Sequence, residues 1–128
     1  MNKTVINNLS TLVGRGLISI MFILAGYGKI VGYEGTQGYM ESVGVPGMLL
    51  PAVIALELLG GIAVLVGYQT RIAAFLLAGF TLLTAIIFHT DFAQPMQQII
   101  FMKNLAISGA FMLLFVHGPG AWALKPDR

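Results

Sequence analysis

Four long apolar stretches limit how this chain can fold more than any other feature of the sequence. They lie at about residues 10–32, 49–67, 72–88 and 98–117, and each approaches the ~20 residues with which an α-helix crosses a ~30 Å hydrocarbon core. Only 9% of the 128 residues are charged, whereas soluble domains carry about 25%. The sequence therefore predicts an all-α fold, an integral membrane four-helix bundle that forms one transmembrane domain over residues 1–128.

The connections between the stretches predict an up-down-up-down order. Residues 67–71 allow only a tight reversal between antiparallel neighbours, and residues 89–97 form another short connection. Gly118, Pro119 and Gly120 end the last stretch, because proline cannot continue a helix. The glycine-rich segment 32–47 is predicted to be the one sizeable loop.

The basic residues predict the orientation of the bundle. Those that flank one side are Lys3, Arg71, Lys125 and Arg128, whereas the long loop contains Glu34 and Glu41 and no basic residue. Lysine and arginine are enriched in cytoplasmic flanks, so both termini are predicted to face the cytoplasm of a bacterial inner membrane. Arg15 and Arg71 are expected near that boundary, where contact with anionic lipid headgroups or the positive-inside bias explains them.

Composition excludes several kinds of partner and cofactor. The seven basic residues are scattered and form no patch, which argues against nucleic acid as a partner. The absence of cysteine excludes disulfides, thiolate zinc sites and iron–sulfur ligation. The two histidines lie at opposite ends of the predicted bundle and no ligand set surrounds either, so no metal site is predicted.

Glu57 is the most informative single residue, because it lies about 12 Å inside the second apolar stretch. Insertion scales charge ~2.5–3.5 kcal/mol for an aspartate at the centre of a membrane helix, so Glu57 needs a partner, a proton or a wet cavity. Gly60 and Gly61, one turn further on, leave room for another helix or a ligand. Two interpretations stay open, namely a binding site for a proton, ion or headgroup and a structural ion pair between helices.

Two lysines are candidate partners for Glu57. Lys29 is the first choice, because it ends a polar stripe that is predicted to face the bundle interior and consists of Arg15, Ser19, Phe22, Gly26 and Lys29. Lys103 is the competitor and stands beside Asn104 in the last stretch. We predict a cluster of Glu57, Lys29, Lys103 and Asn104, with two independent snorkelling lysines as the alternative. His89, near Asp91, is interpreted either as a proton relay or as an interfacial side chain.

Several short motifs, taken together, resemble the DoxX family of small bacterial inner-membrane proteins, and within it the YqjF-like members. These motifs are Ala25-Gly26-Tyr27-Gly28-Lys29, Tyr39-Met40-Glu41, Gly44-Val45-Pro46-Gly47, Glu57-Leu58-Leu59-Gly60-Gly61, residues 67–71, Phe88-His89, Lys103-Asn104-Leu105 and Gly118-Pro119-Gly120. The resemblance implies a four-helix protein of the cytoplasmic membrane. The family name derives from a subunit associated with a terminal quinol oxidase, and other members are linked to membrane oxidoreductase complexes, assembly or chaperoning.

These observations leave three functional hypotheses. The preferred one is an accessory or subunit of a quinone-linked membrane oxidoreductase complex, with quinone as candidate cofactor and no catalysis by the isolated chain. The second is a small transporter in which Glu57 titrates, which four short helices could form only as a homo-oligomer. The third is a membrane assembly or chaperone-like factor. The sequence assigns no catalytic residue.

Overall fold

The protein, described here over residues 2–125 by a computed structural model, folds into helices. The helices are α1 (Lys3–Val31), α2 (Tyr33–Ser42), a short 3₁₀ turn (Gly47–Leu49), α3 (Leu50–Val66), α4 (Thr70–Phe88) and α5 (Pro95–His117). Four of them are long and apolar enough to cross a membrane, which confirms the predicted all-α membrane bundle. Arg128, which was assigned to the basic flank, lies outside the described residues.

Local sequence signals explain where these helices begin and end. The Asn2 side chain accepts a hydrogen bond of 2.9 Å from the backbone N–H of Val5 and caps α1. Pro51 and Pro95 stand in the first turns of α3 and α5, where proline costs no hydrogen bond. Gly67 ends α3 with φ 76°, a left-handed conformation that glycine adopts without strain. These signals place the long helices over the four apolar stretches, although α1 already starts at Lys3.

Helix α2 corrects the prediction that residues 32–47 form a loop. The segment is rich in glycine, yet residues 33–42 are helical, and the only left-handed glycine near them is Gly44, after the helix. The helix is held by Met40, which is 6% exposed and packs with Leu50 and Ile54. Burial of this side chain offsets the low helix propensity of the glycines.

The long helices pack as two close pairs, α1 along α3 and α4 along α5, and α3 contacts α4 less extensively. We call the end that carries the 67–69 reversal and residues 118–125 the tail end, and the opposite end the α2 end. The core near the tail end includes Phe22, Val64, Leu77 and Phe111. Toward the α2 end this core gives way to the smaller cluster around Met40.

The outer surface of the bundle is apolar. The most exposed large side chains of the long helices include Leu17, Leu24, Leu59, Ile72 and Leu113, each 61–68% exposed. Such a surface is suited to contact with lipid chains, because exposing so large a contiguous apolar area to water is unfavourable.

Arg15 is only 2% exposed and lies on the inward face of α1, as the polar stripe predicts, so contact with lipid headgroups does not account for it. Its guanidinium donates to the carbonyls of Val64 (3.0 Å) and Leu65 (3.0 Å) at the end of α3. It also donates to the carbonyls of Pro119 (2.7 Å) and Trp122 (3.0 Å) in the tail. Charge-assisted hydrogen bonds of this kind fix the tail across the end of the bundle.

Arg71 also donates hydrogen bonds to backbone carbonyls of the protein. Its Nη1 donates to the carbonyl of Val116 at 2.9 Å, in the last turn of α5. A cation at a helix C-terminus satisfies carbonyls that have no partner within the helix. The tail end is therefore closed by two arginines and by backbone hydrogen bonds from Leu124 and Lys125 to the end of α3.

Candidate functional site

Glu57 lies inside the bundle, near the middle of α3, and its side chain is 4% exposed. The ammonium Nζ of Lys29 lies 2.8 Å from its Oε1 and forms an ion pair between α3 and α1. Lys29 stands in the last turn of α1 and keeps 29% of its side chain exposed. The structure thus brings together Glu57 and the lysine that is the first choice from the sequence.

Close packing of α1 on α3 positions this pair. Gly26 lies one turn before Lys29, and a Cβ built there would lie 2.7 Å from Cγ of Leu58. A Cβ at Gly61 would lie 3.2 Å from the backbone oxygen of Ser19 on α1. Glycine at these contacts lets the two helices approach closely enough for Lys29 to reach Glu57.

Lys29 is the one described residue that donates to the Glu57 carboxylate. Its ammonium lies 2.8 Å from Oε1, the distance of a charge-assisted hydrogen bond, and no other residue within 2–125 donates to that oxygen. A carboxylate offers two oxygens with about four acceptor positions. Glu57 therefore keeps capacity to accept from an additional donor.

A cavity of about 810 Å³ lies beside the ion pair, in the half of the bundle nearer the α2 end. Its apolar walls include Met21, Phe22, Met40, Val53, Phe80 and Phe88. Its polar side chains are Lys29, Thr36, Tyr39, Glu57, Thr81, Thr84, His89 and Asn104. Concave apolar sites with a few converging polar groups are the usual form of small-molecule binding sites.

The cavity has an open side. At its deep end Phe22 lines it, and the Phe22 ring packs edge-on against the buried Phe111 at 5.3 Å between centroids. Leu49, Leu83 and Ile87 also line the cavity, yet they are 48%, 55% and 38% exposed. The cavity therefore reaches the apolar outer surface of the bundle, between the start of α3 and the end of α4.

The threonine side chains that line the cavity were not predicted from the sequence. Thr81 and Thr84 stand one turn apart in an apolar helix, and this spacing is the signal that would have found them. Their hydroxyls donate to the carbonyls of Leu77 (2.7 Å) and Thr81 (2.9 Å). The hydroxyl of Thr36 on α2 donates in the same way to Gly32 at 3.0 Å. Each hydroxyl oxygen keeps lone pairs to offer a ligand.

Lys103 does not join the predicted cluster. It is exposed on α5 and makes no ion pair within the described part of the chain. Asn104 is half-buried and lines the cavity. Consecutive helical residues point about 100° apart, and α5 packs along α4, which turns Asn104 inward and Lys103 outward.

Gly60 and Gly61 lie at contacts between helices. A Cβ at Gly60 would meet Leu77 of α4 at 3.2 Å, and one at Gly61 would meet Ile23 of α1 at 2.9 Å. Neither glycine is among the residues that line the cavity beside Glu57.

His89 lies at the end of α4 and lines the cavity. Its Nδ1 is 2.9 Å from Oε1 of Gln97, an acceptor, so this nitrogen carries the ring proton. Asp91 lies close in sequence but makes no ion pair with it within residues 2–125. In the same part of the chain, no group of three or more histidines, aspartates and glutamates is placed to hold a metal ion.

Comparison with known proteins gives a consistent result. Residues 10–90 match the family model named DoxX. The chain is 55% identical to the inner membrane protein YqjF of Escherichia coli (strain K12), over 93% of this chain and 92% of that protein. It is 40% identical to the inner membrane protein YphA of the same organism, over 88% of this chain and 86% of the relative.

A third relative carries a name that refers to chemistry. The "Putative oxidoreductase CatD" of Bacillus subtilis (strain 168) is 39% identical, over 91% of this chain and 81% of that protein. No solved structure matches this chain significantly. The family model covers more than half of the chain and the relatives match along most of it, so the protein belongs to the DoxX family of inner membrane proteins.

Proposed function

We propose that the protein binds a lipid-soluble quinone or quinol in the cavity beside Glu57 and serves as an accessory subunit of a quinone-linked oxidoreductase in the inner membrane. The cavity volume of about 810 Å³ lies in the range of ligand sites, about 300–1,000 Å³. Its apolar walls suit a ring and the start of an isoprenoid tail. Its open side, beside Leu83 and Ile87, gives the rest of such a tail access to lipid.

The single observation that carries this proposal is an ion pair placed at a cavity. Charged groups within membrane spans are costly and mark functional sites by default. A structural ion pair needs no space around it, and the glycine contacts between α1 and α3 already hold these helices together. The cavity next to Lys29 and Glu57 therefore favours a ligand site over a purely structural pair.

The proposed link to an oxidoreductase draws on the relative CatD, whose name refers to one. In this proposal the partner contains the redox centre, whereas this chain holds the quinone near it. The site offers a cation and an anion to orient a head group and apolar walls to exclude water. These are binding functions, so we place catalysis in the partner.

Binding of a short-tailed benzoquinone and its hydroquinone to the purified protein in nanodiscs tests the ligand. The Lys29→Gln and Glu57→Gln variants are expected to lose most of the binding, because both residues line the cavity. Lys103→Gln is the control for Lys29→Gln, because it removes a positive charge from an exposed residue outside the cavity. It is expected to bind the probes as the natural protein does. Binding no greater than that of empty nanodiscs would contradict the proposal.

Copurification in a mild detergent tests the partner. The accessory hypothesis predicts that a membrane oxidoreductase and its quinone elute with the protein. A deletion that changes the abundance of unrelated membrane proteins, with no such partner eluting, would favour an assembly factor instead.

The transporter hypothesis finds less support in the geometry. The residues that line the cavity extend from the α2 end no deeper than Met21 on α1 and Phe80 on α4, and buried core residues such as Val64 and Leu77 lie between them and the tail end. A permeation path would need to continue to the tail end, where Arg15 and the tail close the bundle. Proton or ion flux through proteoliposomes that Glu57→Gln abolishes would favour transport.

For the orientation we propose that the tail end faces the cytoplasm. Lys3, Arg71 and Lys125 belong to that end, whereas α2 contains two glutamates and no basic residue. The cavity then opens toward the outer leaflet. Labelling of single cysteines in α2 by an impermeant reagent added to intact cells tests this, since the chain has no cysteine of its own.

A further inference from the structure

The polar side chains that line the cavity are mostly hydrogen-bond acceptors. The Glu57 carboxylate only accepts, and among the described residues Lys29 alone donates to it, at 2.8 Å from Oε1. The hydroxyl protons of Thr36, Thr81 and Thr84 are all donated to backbone carbonyls of their own helices. The threonine oxygens are thus left to accept.

His89 adds to the same imbalance. Its Nδ1 faces Oε1 of Gln97 at 2.9 Å and uses its proton there. In the neutral ring the second nitrogen, Nε2, is then an acceptor. The side chains with protons to offer are Lys29, already paired with Glu57, together with Asn104 and the hydroxyl of Tyr39.

From this inventory we infer that the cavity selects a head group that donates hydrogen bonds, so that the hydroquinone form binds more tightly than the quinone. This inference rests on the proposed function, because it names the form of the ligand for the same cavity. Quinone carbonyls only accept, so an oxidised head group adds no donor to the remaining acceptor positions of Glu57 or to the threonine oxygens. A hydroquinone hydroxyl donates to Glu57 and still accepts from Lys29 or Asn104.

The expected size of this preference follows from the charge on Glu57. Hydrogen bonds to charged groups contribute more than neutral ones. We expect the hydroquinone to bind about ten-fold more tightly than the quinone, or more.

Two matched probe pairs test the inference on the full-length protein in nanodiscs. The first is a decyl-substituted hydroquinone and its quinone, measured without oxygen. The second is a para-alkyl phenol and its methyl ether, which share ring and tail but differ in one hydroxyl proton and undergo no redox exchange. Equilibrium dialysis against each radiolabelled probe, corrected by empty nanodiscs, gives the ratio of dissociation constants.

We expect the hydroxyl-bearing probe of each pair to bind more tightly. Glu57→Gln is expected to lower both ratios, because it weakens the hydroxyl-bearing probe more than its partner, and dialysis at high probe concentration still measures the weakened binding. Thr84→Val removes a neutral acceptor and is expected to lower the ratios in part, which keeps the test decisive if Glu57→Gln fails to fold. Lys103→Gln, the exposed control, is expected to keep the ratios of the natural protein.

Equal affinities within each pair would overturn the inference and leave the proposed quinone site standing. Ratios that Glu57→Gln and Thr84→Val both leave unchanged would also overturn it, because the preference would then come from elsewhere. If no probe binds above the level of empty nanodiscs, the proposed function itself fails.

Discussion

The ion pair between Lys29 and Glu57 predicts that removing one of the two charges lowers the free energy of unfolding more than removing both. With 2.8 Å between Nζ and Oε1, the Coulomb attraction is about 6 kcal/mol at an effective dielectric constant of about 20. Desolvation of the nearly buried Glu57 offsets part of it. Removing one partner of a buried pair costs about 3–5 kcal/mol, and since Lys29 is 29% exposed, we expect about 3 kcal/mol for Lys29→Met.

The double variant Lys29→Met with Glu57→Leu removes both charges and leaves apolar side chains in their place. Replacing a buried ion pair by packed apolar residues is often neutral or stabilising, so we expect unfolding free energy within about 1 kcal/mol of the natural protein. Lys103→Met is the control for the loss of an exposed lysine and is expected to change stability by less than about 0.5 kcal/mol.

Reversible unfolding in mixed micelles, with an increasing mole fraction of dodecyl sulfate and helicity as the signal, measures these differences. Lys29→Met is expected to be clearly less stable than the natural protein, the double variant and Lys103→Met. The reasoning would be refuted if Lys29→Met unfolded together with Lys103→Met, or if the double variant were less stable than Lys29→Met.

Three further predictions follow from other contacts. Arg15→Ala should lower the unfolding free energy by about 2–3 kcal/mol and expose the tail to proteolysis, because four carbonyls, in two buried and two partly buried hydrogen bonds, lose a charged donor; unchanged cleavage would count against this function of Arg15. Gly61→Ala should cost about 1–3 kcal/mol, because the new Cβ meets Ile23 and backbone of α1, whereas Gly79→Ala, with nothing within 4 Å, should be tolerated; the same micelle titration compares the two. A bulky thiol reagent on Leu83→Cys should slow loading of the cavity with a quinone probe, and the same label on Leu113→Cys should not, because Leu83 lies at the open side; stopped-flow rates that are equal for both would place the opening elsewhere.

The sequence predicted what depends on local patterns. The four long helices follow from apolar length, and the pairing of Glu57 follows from a polar stripe on α1 that ends at Lys29. A helical face is a local property, and a buried carboxylate must find a cation. Neither inference needs knowledge of distant contacts.

The features that the sequence did not predict depend on distant parts of the chain. The polar stripe on α1 indicates that Arg15 faces inward, but the carbonyls from the end of α3 and from the tail that accept from it are distant in the sequence, and no local pattern indicates them. Helix α2 forms because Met40 finds the cluster of Leu50 and Ile54. Lys103 and Asn104 are adjacent, so only the rotation of α5 about its axis decides which of them faces the cavity.

Photolabelling tests the central claim, a ligand site beside Glu57, most directly. A para-alkyl phenol that carries a photoreactive diazirine next to the ring would be irradiated with the protein in nanodiscs, and the modified residues would be identified by mass spectrometry. We predict labels on cavity residues such as Met21, Phe80 and Thr84 that an unreactive hydroquinone prevents and Glu57→Gln abolishes. Labels confined to the outer surface, for example at Leu17 or Leu113, and unaffected by either change would contradict the account.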